Sequence, residues 1–182
     1  MQDISIKNEE KSNFLGLNKK MIVSSALFML LGMIIGYFFL LYSQTSNKSS
    51  FEFFKEADFI GKRPTFTNIF FHNLIVGFLL YLGCIYGKMI TRFLLIINGI
   101  SFGIVIASYF FTDISSMVLL SLVPHGIFEI PCLIFCGAYG LEKKKIIDIK
   151  NETIKLGIII AIFALAAVIE VYVSYPLSKR LG

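Results

Sequence analysis

Four side chains with chemistry of their own share the stretch VPHGIFEIPCLIFC: His125, Glu129, Cys132 and Cys136. On a helix, offsets of 0, 4, 7 and 11 residues bring all four onto one stripe. Imidazole, carboxylate and thiolate are each competent metal ligands, and a His and a Glu one turn apart can share a proton. His125 and Glu129 are therefore the catalytic candidates, and a metal held by the two is a lesser alternative. The same stripe also has a structural reading. His125 and Glu129 pair with each other or with Asn73 to lock helices together, while the cysteines pack as small hydrophobes. No H-E-x-x-H motif supports a named hydrolase chemistry, and no cofactor-binding motif occurs.

These residues lie where lipid is expected. Of the 182 residues, 56% are hydrophobic and only 16% charged, and the mean hydropathy is +0.77. That composition belongs to a polytopic membrane protein rather than to a soluble domain with a core. A helix needs about 20 apolar residues to cross a bilayer core. Runs of that length fall at about residues 21–42, 66–87, 93–111, 114–141 and 154–175. The expectation is an all-α bundle of about five spans in one transmembrane domain over residues 21–175. Residues 1–20 form a cytoplasmic N-terminal segment and residues 176–182 a C-terminal tail. The lysines and arginines between spans concentrate on the side of the N-terminus, so the positive-inside rule favours N-terminus in and C-terminus out. The first run is too long for a signal-peptide h-region and no A-x-A site follows it, so it reads as a retained anchor.

The fourth run needs a different geometry. Its 28 residues would measure about 42 Å as one helix, more than a bilayer core requires. Pro124 disfavours helix at Val123, Gly126 loosens the chain, and Pro131 fits only the first turn of a new helix. A break near Pro124 to Gly126 is expected, with a second half-helix from about Ile127. Discontinuous helices of this kind build binding sites at membrane depth.

Polar groups inside the spans are few: His72, Asn73, Asn98, His125, Glu129 and Glu170. An ionised group at depth is costly unless paired, so each is expected to face the bundle interior or a wet cavity. His72, Asn73 and Glu170 fall in the outer halves of their spans, which suggests an outer polar pocket, whereas Asn98 falls on the inner side. Gly32 and Gly36, Gly83 and Gly87, and Gly99 and Gly103 have the small-xxx-small spacing that lets helices approach closely, whether within the bundle or between copies. Among the loops, residues 43–65 contain FEFFKEADFIGK, either a short interfacial amphipathic helix or a plain connector with aromatic anchors. Residues 142–153 read as a solvated charged loop. Cys84, Cys132 and Cys136 all lie in spans, so no disulfide framework is implied. The net charge of +5 is explained by loops facing anionic lipid. No basic aromatic platform points to nucleic acid.

NLIVGFLLYLGCIYG from Asn73, INGISFGIVIA from Ile97 and LVPHGIFEIPCLIFCGAYGL from Leu122 resemble successive hallmarks of the stage II sporulation protein M family of bacterial membrane proteins. The matching positions are Asn73, Asn98, Gly99, Gly103, Pro124, His125, Gly126, Glu129, Pro131, Gly137 and Gly140, and the His-Gly-x-x-Glu element is the most specific part. The resemblance implies a multi-pass protein of the bacterial cell membrane that works with membrane lipids and other envelope proteins. The founding member belongs to a peptidoglycan-remodelling complex in sporulation without being an established catalyst. Short relatives stand beside circular bacteriocins and are implicated in their maturation, export or immunity, which makes a hydrophobic peptide a candidate partner. Two readings follow: a noncatalytic assembly factor, or an intramembrane enzyme or transporter using Glu129 and His125.

Overall fold

A chain in lipid must satisfy every backbone N–H and C=O internally, so its apolar runs have little choice but to become helices. The computed structural model describes residues 17–46, 65–111, 119–142 and 149–181, and no strand occurs among them. Five long helices follow one another: α1 (Lys19–Ser46), α2 (Phe66–Tyr86), α3 (Lys88–Phe111), α4 (Leu119–Leu141) and α5 (Ile149–Ile169). After α5, a π-helical turn (Glu170–Ser174) leads into the short α6 (Tyr175–Leu181). Among the described residues, four segments are long and apolar enough to cross a membrane: Lys19–Ser43, Phe66–Tyr86, Lys88–Ser108 and Glu152–Leu177. In α4 the corresponding described run is the shorter Gly126–Leu141. The interfacial helix considered for FEFFKEADFIGK lies outside the described residues.

Consecutive helices reverse direction. At the tightest reversal Gly87 adopts φ 119°, a conformation that suits a residue without Cβ, and its N–H closes α2 on the Gly83 carbonyl at 2.8 Å. Gly87 is thus a turn and not a packing position, so only Gly83 of that expected pair makes a helix contact. α1, α3 and α5 run one way and α2 and α4 the other. We term the end where α1, α3 and α5 begin the near end, and the opposite one the far end.

Two glycine seams set the spacing of the bundle. Between the parallel helices α1 and α3, a Cβ on Gly32 would stand 2.9 Å from the Gly99 Cα, and one on Gly99 would stand 2.9 Å from the Gly32 Cα. Cβ atoms on Gly36 and Gly103 would collide with the backbone of Ile100 and Met33. This seam makes α1 an integral part of the bundle and uses both motifs within one copy. In the second seam, Gly140 of α4 faces the Leu80 carbonyl of α2 and the Thr91 side chain of α3, and Gly83 also abuts Thr91. Thr91 Oγ1 donates to the Leu80 carbonyl at 3.4 Å, and Ser25 Oγ of α1 donates to the Ile134 carbonyl of α4 at 2.9 Å. Such hydroxyl-to-carbonyl bonds hold helices together where the hydrophobic effect does not.

The break expected in the fourth span is absent. α4 runs without interruption through Pro124 and Pro131. The described helix, Leu119–Leu141, has 23 residues and measures about 35 Å, enough to cross the bilayer core; residues 114–118 of the expected span lie outside the described residues. Each proline then removes one hydrogen bond from a helix that neighbouring helices support, which bends a membrane helix more readily than it breaks it. Gly126 lies within this continuous helix, and a Cβ there would meet only Ile130 Cδ1, at 3.9 Å.

The two kinds of glycine should separate in a melting experiment. Gly99→Val, which forces α1 and α3 apart, is expected to lower stability in detergent by about 1–3 kcal/mol. Gly126→Ala should leave stability unchanged or raise it by about 0.5–1 kcal/mol. Equal effects at the two positions would contradict the seam.

Candidate functional site

The inward stripe of α2 carries Asn73, Gly77, Leu80, Tyr81 and Gly83, all buried. On α5 the corresponding stripe carries Ile159, Phe163, Ala166 and Ala167, and the π turn adds Ser174. On α4 it carries Cys132, Leu133, Cys136 and Ala138. Phe163 fills the gap left by Gly77, whose absent Cβ would otherwise crowd both the ring and Cys136 Sγ. One turn from this plug toward the far end, the polar side chains meet.

Glu129 of α4 stands close enough to Glu170 for the two carboxyl charges to interact, and it faces the Asn73 side chain of α2. Asn73 is 4% exposed. Its Nδ2 has no hydrogen-bond partner among the described residues. Glu129 and Glu170 are both part-buried. Glu170 opens the π turn, in which the Tyr175 N–H bonds back to the Glu170 carbonyl. One π turn places residues i and i+4 on nearly the same face, so Glu170 shares its inward side with buried Ser174. Turns of this kind concentrate at functional sites. Three helical elements therefore contribute one polar residue each to a layer toward the far end.

The remaining sequence candidates divide. His72 is exposed, contrary to the inward orientation expected of it. Neighbours on a helix point about 100° apart, so His72 and Asn73 cannot both face inward, and Asn73 takes that side. Asn98 is satisfied by its own helix, its Nδ2 donating to the Leu94 carbonyl at 2.8 Å. Gly99 and Gly103 belong to the α1–α3 seam. Pro124 is part-buried and Pro131 exposed. His125 lies on α4, but its side chain lies outside those described. The stripe does not converge on one point: Glu129 turns to Asn73 and Glu170, whereas Cys132 and Cys136 are buried in the core as free thiols. Cys132 Sγ points to the Ile159 carbonyl at 3.9 Å.

A second polar cluster near the near end was not evident from sequence. The Tyr81 hydroxyl donates to the Glu152 carboxylate. Lys155 pairs with the same carboxylate at 3.1 Å and lies over the Tyr139 ring, 5.1 Å from its centroid. Tyr81 and Tyr139 are themselves in ring contact at 5.5 Å. The segment read as a solvated loop up to Thr153 becomes helix from Ile149, so Glu152 enters the bundle instead of water. The i,i+3 spacing of Glu152 and Lys155 next to an apolar run was the available signal.

Comparison with known proteins places this geometry in a wider group. The profile of the family described as "Stage II sporulation protein M" matches residues 25–175 and so includes every residue of both clusters. An uncharacterized protein of Methanocaldococcus jannaschii is 32% identical over 133 residues, covering 64% of this chain and 74% of the relative. No solved structure matches the chain significantly.

The second cluster makes its own prediction. Lys155→Leu removes the Lys155 ammonium from the Glu152 carboxylate and is expected to reduce stability by up to about 3 kcal/mol. The double variant Glu152→Leu/Lys155→Leu should recover much of that loss in a detergent melting series. Strictly additive losses would show that the two residues are not coupled.

Proposed function

The chain belongs to the stage II sporulation protein M family, and on that premise we propose that it is a noncatalytic assembly factor of the cell membrane. It binds membrane partners within a cell-envelope or peptide-handling complex. The observation that carries this reading is the meeting of Asn73, Glu129 and Glu170 from α2, α4 and the π turn of α5. The residues with the most chemistry of their own are built into the contacts between helices. A group fixed in this way orders a surface for a partner, and conservative replacement weakens it by degrees.

Orientation is part of the proposal. Among the described residues, Lys19, Lys20, Lys88, Arg92 and Lys155 gather toward the near end, against Lys179 and Arg180 at the far end. This asymmetry supports a cytoplasmic near end, with the N-terminus inside and the C-terminus outside. The Asn73, Glu129 and Glu170 layer then opens toward the outer half. The complex served is of the peptidoglycan-remodelling kind or of the kind that matures, exports or gives immunity to circular bacteriocins. Neighbouring genes, a peptide precursor in one case and a sporulation cluster in the other, separate these two.

The test is dosage. In cells that depend on the protein, Glu129→Gln at native expression is expected to give a partial defect, and raising its amount about tenfold should restore function, because weakened binding responds to mass action. If folded Glu129→Gln protein gives complete loss at every expression level, a carboxylate-dependent enzyme or transporter is the better reading.

A further inference from the structure

Arg92 stands in the second turn of α3, one turn after Lys88, and its guanidinium carbon lies 5.4 Å from the centroid of the Phe28 ring of α1. That contact sets the side chain across the junction of the two helices, at the near end of the α1–α3 seam. Its Nε is covered by protein and has no hydrogen-bond partner among the described residues. Nη1 donates to the Met89 thioether at 3.6 Å, a weak acceptor. A covered donor without an acceptor is uncommon in a folded protein, and most of all in a charged group. The guanidinium is nonetheless open on one side: Arg92 is only part-buried, and Met89, which meets Nη1, is 72% exposed.

The surroundings are of one sign. Lys88 shares the side of α3 that carries Arg92, and Lys19 and Lys20 begin α1. The two helices are parallel and Gly32 meets Gly99, so counting back from that contact brings their first turns to nearly the same depth. Neither first turn holds an acidic residue. Among the described residues, none of Lys19, Lys20, Lys88 and Arg92 makes an ion pair; Glu152 is committed to Lys155. Cations at the start of a helix oppose its dipole, which favours an anion there. Exposed lysines are satisfied by water and by themselves express only the charge asymmetry of a membrane protein. Arg92 differs, because it lies about 6 Å inside the start of α3, against an aromatic ring and with its Nε out of reach of water. Just inside the end of a span, the anion that a bilayer supplies in abundance is the phosphate of a lipid headgroup.

We propose that Arg92 and Lys88, with Lys20 on the neighbouring helix, hold the phosphate of an anionic phospholipid of the phosphatidylglycerol kind at the near end of the α1–α3 seam. The Nη groups at the exposed surface donate to phosphate oxygens. Rotation of the side chain off the Met89 thioether brings Nε round as the second arm of a bidentate contact. The lysines supply charge without fixed geometry. A headgroup with an ammonium of its own, as in phosphatidylcholine, sets a cation against these cations and is disfavoured. The site lies at the opposite end of the bundle from the Asn73, Glu129 and Glu170 layer and does not depend on it.

The chain contains no Trp, so a single introduced Trp reports the lipid beside it through quenching by brominated acyl chains. Phe93→Trp puts the reporter next to Arg92, at a position 63% exposed. Phe38→Trp, 59% exposed in the other half of α1, is the control. The full chain is reconstituted in mixtures of phosphatidylcholine and phosphatidylglycerol with one or the other brominated. At Phe93→Trp, phosphatidylglycerol is expected to be preferred by about tenfold, and at Phe38→Trp not at all. Adding Arg92→Gln, with a melting temperature within a few degrees of the parent, should lower the preference about fivefold. If that variant does not fold, Lys88→Gln is read instead and should lower it about threefold. A preference of equal size at both reporters, or one that survives the substitution, assigns the enrichment to surface charge in general and overturns the proposal. Loss of the preference on adding inorganic phosphate, but not chloride at equal ionic strength, assigns the site to a free anion and overturns it too. Equal quenching by the two lipids at Phe93→Trp also overturns it, and leaves Arg92 to an acidic side chain of a protein partner.

Discussion

Close backbone contact is the constraint on which this bundle depends. Apolar helices in lipid gain nothing from hiding apolar surface from one another, so they associate only where they can approach closely enough for dispersion and polar contacts to favour protein over lipid. Gly32, Gly36, Gly99 and Gly103 meet that condition between α1 and α3, and Gly83 and Gly140 meet it where α2, α3 and α4 converge. Each of the six would place a Cβ against atoms of a facing helix that have little room to move. Hydroxyl bonds from Ser25 and Thr91 to carbonyls of neighbouring helices can form because the backbones are already close.

From that spacing follows the placement of the polar residues. α5 and its π turn pack against α2 and α4 through Phe163, which occupies the space opened at Gly77. Two polar clusters flank this plug. Toward the near end, Tyr81, Glu152, Lys155 and Tyr139 form a contact in which carboxylate and cation meet and both tyrosines take part. Toward the far end, Asn73, Glu129 and Glu170 come together with no basic group among the described residues and with a buried amide nitrogen unpaired. The first arrangement is what stability alone favours. The second departs from it, and departures of that kind gather at functional sites. Both clusters draw on the same three elements of the bundle, α2, α4 and α5 with its π turn.

Much of this was legible in the sequence because membrane physics leaves few options. Apolar run lengths announced the helices, and small-xxx-small spacing announced the α1–α3 seam. Counting from the span ends placed Asn73 and Glu170 in one half of the bundle. What escaped the sequence depended on details that a pattern does not carry. Pro124 and Pro131 announced a break, and only the supported packing of α4 shows that the helix continues through both. His72 and Asn73 are equally polar neighbours, and only packing decides which faces inward. Glu152 sits in a charge-rich stretch that resembles a loop until α5 is seen to begin at Ile149. The π turn at Glu170 has no compositional signature: it arises where packing accommodates an additional residue, and it helps to give Glu170 and Ser174 a common inward side.

The central claim is that three helices bring Asn73, Glu129 and Glu170 into one layer inside the membrane. Solid-state NMR of the full chain in lipid bilayers, with side-chain carboxyl and amide carbons labelled with carbon-13, measures this most directly. Through-space cross-peaks are expected from the Glu129 carboxyl carbon to those of both Glu170 and Asn73, assigned by their loss in the single Gln and Leu variants respectively. A Glu129 carboxyl that correlates with neither residue, in a sample whose Gly32 and Gly99 signals still show the α1–α3 contact, would contradict it.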